Sequence, residues 1–322
     1  MKKRKERSEA ETIGPVPPKH QKPLPWEHPK SKKEDPDAHR RIKAIMSHKN
    51  YIQADRDSNF LLRDEMRAVR LELDYLKPEL LLKENGVKHT IVVFGSTRII
   101  EESEARRKYE ALKKKYSTKE SKKRERELKI AKRILAKSPY YEMAREFGQI
   151  VGHSGKGPGD ARVTLMTGGG PGIMEAANRG AFDVGAKSIG LNITLPHEQF
   201  PNPYITPELC FQFHYFAIRK LHFMRRAKAL VIFPGGYGTL DETFEVLTLV
   251  QTRKIKPLPV IFIGKSYWKS IVNFNKLTKE GVIDAEDRKL FYFAKNAQEA
   301  WDMILNWHIE NGKPLIRHGL GS

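Results

Sequence analysis

Six short apolar runs recur along the chain: TIVVFG at 90–95, RVTLMT at 162–167, SIGLNIT at 188–194, CFQFHY at 210–215, KALVIF at 228–233 and PVIFIG at 259–264. Runs of this length, bounded by glycine, proline or charge, read as strands, and most are apolar enough to be buried on both faces. Helical periodicity separates them, as in GIMEAANRGAFDVG (172–185) and in spans near 139–152, 216–227 and 298–311. Strands alternating with helices predict an α/β fold built on a doubly wound parallel sheet, Rossmann-like in plan. In such a sheet ligands bind outside the carboxyl ends of the strands. The connections leaving each strand are therefore where functional residues are sought.

Two of those connections are glycine-rich. TGGGPG (167–172) follows one strand, and PGGYGTLDE (234–242) joins the strand KALVIF to the helical run TFEVLTLVQTRK (243–254). A glycine-rich loop entering a helix presents converging backbone N–H groups and the positive end of the helix dipole, which suits phosphate. Carboxylates beside such a cradle are unfavourable unless a cation offsets them or chemistry needs them, so Asp241 and Glu242 point to an enzyme acting on a phosphorylated substrate. Neither loop matches a standard nucleotide fingerprint. The third glycine of the dinucleotide pattern is replaced by Ile173, and GKS at 264–266 lacks the first glycine of a P-loop, whose place Pro259 takes. Upstream, Arg219 and Lys220 in FAIRKLHFMRRAK (216–228) stand near the carboxyl end of the strand 210–215, whereas Arg225 and Arg226 fall about two turns farther on and read as structural or interface residues.

The net charge of +20 is unevenly spread: residues 1–50 contribute +7 and residues 101–137 contribute +8. The first segment holds 7 of the 19 prolines and few large apolar residues, so 1–55 reads as a basic, disordered arm. The second reads as a basic helical insertion, with Ala105, Tyr109, Leu112 and Tyr116 on one face and Ser117 and Glu120 at capping-box spacing for a second helix. Between them, 56–86 reads as a helical extension packed on the core: Leu62, Met66, Val69, Leu73 and Leu76 form an apolar stripe for core or intersubunit packing, and Pro78 ends or kinks that helix. A single cysteine, Cys210, excludes an internal disulfide and a cysteine metal site, and it reads as a buried small hydrophobe. The chain has neither an apolar stretch of membrane-spanning length nor a secretory leader, so a cytoplasmic location is expected.

TGGGPGIMEAANRGA, then the Arg219–Lys220 pair, then PGGYGTLDE resembles the Lonely Guy family of phosphoribohydrolases that release cytokinin bases, formerly labelled lysine decarboxylases. The resemblance runs through about 90–264, with 101–137 as a departure, and the helix 63–82 looks like the N-terminal part of a longer bacterial subgroup. It places a phosphoribohydrolase domain at 87–314. It implies hydrolysis of a nucleoside 5′-monophosphate, of AMP or N6-modified AMP type, to free base and ribose 5-phosphate, with no cofactor and no metal. Carried over by position, Arg219 and Glu242 are the catalytic pair. Gly235, Gly236, Gly238 and Thr239 bind phosphate, with Gly169 and Gly170 from the other loop and Lys220 beside the arginine. Ser96 in FGSTR matches the small residue of the first loop, and Glu175 and Asn178 match positions lining the nucleotide site. A homodimer or larger homo-oligomer is also implied.

Simpler readings stand beside these. Asp241 serves as a helix N-terminal charge, Glu175 as an early-helix acid, and His197, His214 and His222 as core or surface histidines without metal-motif spacing. Two other function classes compete: a non-catalytic nucleotide or cofactor carrier such as the molybdenum-cofactor binders of this fold, and a nucleic-acid-associated protein using its basic arms. The retained Arg219 and Glu242 favour the enzyme over the carrier. The lack of interleaved exposed aromatics in 101–137 disfavours nucleic acid.

Overall fold

A computed structural model describes residues 27–115, 121–155, 162–196 and 200–316. The chain divides into two compact units at Arg67/Ala68. In the first, α1 (Ala38–Met46) carries ion pairs from Arg41 to Asp35 and from Arg40 to Asp37, and Asp57 caps α2 (Ser58–Leu61) by accepting from the Phe60 N–H at 3.0 Å. Within the later part of 1–55, read from the sequence as disordered, the structure places α1, with ion pairs linking it to the residues just before it. Residues 1–26 of that arm lie outside the described residues.

The second unit begins with α3 (Arg67–Glu84) and β1 (His89–Phe94). The insertion forms α4 (Glu102–Lys115) and α5 (Lys122–Leu135), which pack on each other. Helix α5 is capped by Ser121, whose hydroxyl accepts from Arg124 N–H; the expected cap at Ser117 and Glu120 lies outside the described residues. Then follow α6 (Pro139–His153), β2 (Val163–Thr167), α7 (Ile173–Asp183), β3 (Ser188–Ile193), β4 (Cys210–Phe213), α8 (Phe216–Arg225), β5 (Ala227–Ile232) and α9 (Tyr237–Gln251). Finally come β6 (Val260–Ile263), α10 (Lys265–Ile271), α11 (Phe274–Lys279), β7 (Tyr292–Ala294) and α12 (Ala297–Glu310).

All seven strands are parallel, in the order β4-β3-β2-β1-β5-β6-β7. The doubly wound α/β expectation is met. The chain winds outward from β1 to β4, then returns to the other side of β1 at β5. The strand order therefore reverses between β1 and β5, and the loops leaving these two strands diverge there. The period of two in each strand sorts the side chains. Ile91 and Val93 of β1 and Val231 of β5 join α6, α7 and α12 in one core, while Val92, Phe94, Leu230 and Ile232 join Leu82 of α3, Phe223 of α8 and Val246 of α9 in the other.

Helix α3 resolves two points that the sequence leaves open. It continues through Pro78 without ending, and the carbonyl of Tyr75 accepts from His222 Nε2 at 3.1 Å. It also docks through a polar face: Glu79 accepts from Arg225 Nε at 2.8 Å and Arg226 Nη1 at 2.6 Å, and Asp74 accepts from the backbone N–H groups of His214 and Tyr215, both at 2.8 Å. Val69, Leu73 and Leu76 of the apolar stripe are left exposed, because the basic helix α8 is better matched by carboxylates than by leucines. Farther along the helix Leu82 enters the core, with Leu81 packed against it.

Helices α6 and α7 cross backbone against backbone at their glycines. A Cβ at Gly180 would lie 1.9 Å from the Arg145 carbonyl oxygen, a backbone atom that cannot give way. Gly180→Ala should therefore destabilise the protein by about 1–3 kcal/mol, whereas Gly238→Ala, where an added Cβ meets nothing within 4 Å, should hold or raise stability; chemical denaturation of both variants measures the contrast.

Candidate functional site

Three loops converge at the carboxyl edge where the strand order reverses. The loop after β1 is tied to both others: Ser96 N–H donates to the Pro234 carbonyl at 3.0 Å, and Ile173 N–H at the start of α7 donates to the Ser96 carbonyl at 3.1 Å. The Ser96 hydroxyl accepts from Arg98 N–H within its own turn.

The loop after β2 is shaped by amides beneath it. Thr167 Oγ1 donates to Asn178 Oδ1 at 2.7 Å and accepts from Gly169 N–H at 3.0 Å. Asn202 N–H donates to the Gly169 carbonyl at 2.9 Å, and its side chain donates to the Gly170 carbonyl at 3.1 Å. Asn178 is fully buried, its Oδ1 accepting from Thr167 and Asn202 and its Nδ2 donating to Ser188 Oγ and the Ile189 carbonyl. With every polar atom engaged inside the chain, Asn178 supports the loop from below and does not line the site. Glu175 faces α6, accepting from the Tyr141 hydroxyl at 2.9 Å.

The loop after β5 turns directly into α9, which begins at Tyr237, inside the PGGYGTLDE motif and earlier than the apolar run alone indicates. Gly236 is its N-cap residue, and the N–H groups of Tyr237, Gly238 and Thr239 have no carbonyl in the preceding turn to bond. Tyr237 and Gly238 are exposed, so their donors stand at the surface at the positive end of a helix of 15 residues. Thr239 is buried, and the Gly235 carbonyl is held by the Tyr267 hydroxyl at 2.7 Å.

Arg219 of α8 reaches this centre from the side. Its Nε donates to the Leu191 carbonyl at 2.7 Å and its Nη2 lies 3.5 Å from the Gly168 carbonyl, while Nη1 stands 3.6 Å from Glu242 Oε1. The rings of Phe216 and Phe223 flank the guanidinium at 5.9 and 5.1 Å. Gly168 leaves the room for it: an added Cβ would stand 2.5 Å from Arg219 Nη2. Burial lowers the Arg219 pKa and Glu242 opposes that fall.

Glu242, in the second turn of α9, keeps 16% of its side chain exposed. Burial pushes its carboxyl up to about 7, with Arg219 pulling it down and Asp241 adding to the rise. Desolvation outweighs the arginine at 3.6 Å, so the group lies near neutrality. Lys220 turns to the rim, where its Nζ bonds Asp241 at 2.7–2.8 Å and Glu245 at 3.3 Å. Asp241 is therefore a rim ion-pair partner within the helix.

Sequence reasoning missed Asn192, Asn202 and Asp74. The first two are polar residues buried against the TGGG loop, and Asp74 holds the turn that starts α8 and so orients Arg219. An asparagine inside an apolar strand, Asn192 in SIGLNIT, is the one signal that could have been read. His222 meets the Tyr75 carbonyl and His214 the Asp74 carboxylate through its N–H; His197 lies outside the described residues. No helix among the described residues is long and apolar enough to cross a membrane.

Comparison with known proteins agrees with the motifs. Residues 174–304 match the family model described as "Possible lysine decarboxylase". The chain is 29% identical over 155 residues to a rice (Oryza sativa subsp. japonica) protein named "Probable cytokinin riboside 5'-monophosphate phosphoribohydrolase", covering 44% of this chain and 68% of that one. It is 32% identical over 146 residues to a cytokinin riboside 5'-monophosphate phosphoribohydrolase of Arabidopsis thaliana, covering 44% of this chain and 65% of the relative. The chain is thus similar to proteins named cytokinin riboside 5'-monophosphate phosphoribohydrolases, at modest identity over part of its length. Among solved structures, the Moco carrier protein of Chlamydomonas reinhardtii aligns with 69% of this chain and 99% of its own at 17% identity and a TM-score of 0.40.

The raised pKa of Glu242 has a stability consequence. The native state keeps its proton up to about pH 7, while the unfolded chain releases it near 4.5. Between these values the native state binds more protons, so this group's contribution to stability falls as pH rises and levels off above about 7. Glu242→Gln removes that dependence. Relative to wild type, its melting temperature should be higher at pH 8 than at pH 5, whatever constant offset the substitution brings; a gap that does not change with pH contradicts the assignment.

Proposed function

We propose that the protein is an N-glycosyl hydrolase that cleaves a nucleoside 5′-monophosphate of AMP or N6-modified AMP type into free base and ribose 5-phosphate. The observation that carries this reading is the buried pair of Arg219 and Glu242, 3.6 Å apart, beside the open N-terminus of α9. The names of the relatives support it.

The 5′-phosphate takes the first-turn N–H groups of α9 around Gly236, Gly238 and Thr239, where a dianion meets unbonded donors and the helix dipole. Anchoring the phosphate fixes the ribose over the wall formed by Glu242 and Arg219 and supplies orientation remote from the breaking bond. As the C1′–N bond lengthens, its electron pair leaves with the base and positive charge builds on the ribose. The ionised Glu242 carboxylate stabilises that charge and accepts a proton from the water whose oxygen bonds C1′. The proton then passes to the departing base nitrogen or to solvent. A base with a pKa near 7 is well suited to this exchange at neutral pH. Arg219, locked by Leu191 and Gly168, is the fixed cation that holds the carboxylate in place and faces the negative charge of the substrate.

Three outcomes test the reading. Glu242→Gln and Arg219→Ala should each lower kcat/KM for base release by about a hundredfold or more, the scale of a lost acid–base or electrostatic contribution, while circular dichroism shows an intact fold. In wild type, kcat/KM should rise with pH through about 7 and then level off, because the deprotonated Glu242 is the active form. Matched nucleosides lacking the phosphate should be poor substrates by chromatography of released base; equal rates for nucleoside and nucleotide contradict the phosphate anchor.

A further inference from the structure

The opposite edge of the sheet carries a second concave, charged site. Where β1 and β5 begin, a cavity of about 570 Å³ is lined by His89, Lys228, Lys256, Trp307, His308 and Lys313, together with Asn311 and small and apolar residues. That volume falls in the range of small-molecule sites. No carboxylate lines it, and among the described residues none of the three lysines is paired with one. Several cations elsewhere in this unit are matched by carboxylates: Arg225 and Arg226 by Glu79, Lys220 by Asp241 and Glu245, Arg145 by Asp183. The lysines here come from three separate stretches of chain, the start of β5, the loop before β6 and the turn after α12, so their convergence is a property of the fold and not of one basic run.

The imidazoles add to the character of the wall. His308 is buried, and its Nε2 donates to the Lys228 carbonyl at 2.8 Å, which pins α12 to β5 at the cavity. His89 is half-buried, and burial with the nearby Lys228 charge disfavours its protonation, leaving it a neutral hydrogen-bonding group. Trp307 is partly exposed on the rim, with its ring set edge-on to His308 at 5.1 Å. Like charges gathered around a concave surface repel one another, and an anion between them relieves that repulsion. A flat aromatic beside the cations offers a stacking surface.

We propose that this cavity binds a phosphate-bearing aromatic anion of the nucleotide class, with Lys228, Lys256 and Lys313 around the phosphates and Trp307 against the ring. It is a second site, separated from Glu242 and the α9 N-terminus by the length of β1 and β5, roughly 20 Å at 3.3 Å per residue. Its occupation does not depend on the chemistry assigned to the other edge.

Calorimetric titration of the full-length chain with ATP, and with adenosine for comparison, tests it. The wild-type chain should bind ATP about tenfold or more tightly than adenosine, the scale expected when charge-assisted bonds to phosphate are gained. The variant Lys228→Ala/Lys256→Ala/Lys313→Ala should lose about tenfold or more of that affinity, while Arg219→Ala at the other edge should bind ATP as wild type does. An unchanged melting temperature in the lysine variant separates lost binding from lost fold. Trp307→Ala, with the lysines in place, should also weaken ATP. Wild-type affinity for ATP in the lysine variant, or no preference for ATP over adenosine, overturns the proposal, as does ATP binding that disappears with Arg219→Ala and survives removal of the lysines.

Discussion

The contacts made by one guanidinium organise the carboxyl edge of the sheet. Arg219 is buried, yet it bonds a strand carbonyl at Leu191, lies against the loop carbonyl at Gly168 and pairs with Glu242 on α9. A buried cation is costly unless its donors are satisfied. Meeting that demand fixes the distance from α8 to β3, the path of the TGGG loop and the rotation of α9 together. Gly168 must be glycine because the guanidinium occupies the space of its side chain. Asp74 secures the same arrangement from behind by holding the turn from which α8 starts.

This arrangement gives Glu242 its character. At 3.6 Å the arginine is close enough to orient the carboxyl but does not overcome its burial, so the group sits near neutrality. A closer, bidentate pair would keep the carboxylate ionised and weakly basic; an unpaired one in the same place would stay protonated. The neighbouring Asp241 has no such role, because Lys220 draws it to the rim. Two adjacent acids on one helix thus differ through what surrounds them.

Much of this was legible in the sequence, for physical reasons. A strand buried on both faces is written as an apolar run, so β1, β2, β3, β5 and β6 could be read directly, and glycines at strand ends marked the ligand edge. Strand β7 escaped because only Ala294 of its three residues is buried. The first turn of α9, made of glycine, tyrosine and threonine, shows no apolar periodicity, and only the run that follows it reads as helix by pattern. The choice between core and intersubunit packing for the stripe of α3 could not be read, because periodicity shows that a face is apolar without showing what lies opposite it. Long-range partners such as Asp74 with His214, and Asn202 with Gly170, leave no local trace, and the neutral-range pKa of Glu242 depends on burial that only the folded chain creates.

The central claim is that this edge of the sheet breaks a C1′–N bond with water. Single-turnover reaction with AMP and N6-alkylated AMP in ¹⁸O-labelled water, read by mass spectrometry, tests it most directly. The account predicts free base and ribose 5-phosphate carrying one ¹⁸O at C1. Intact substrate with both nucleotides, or release of inorganic phosphate with the nucleoside left whole, contradicts it.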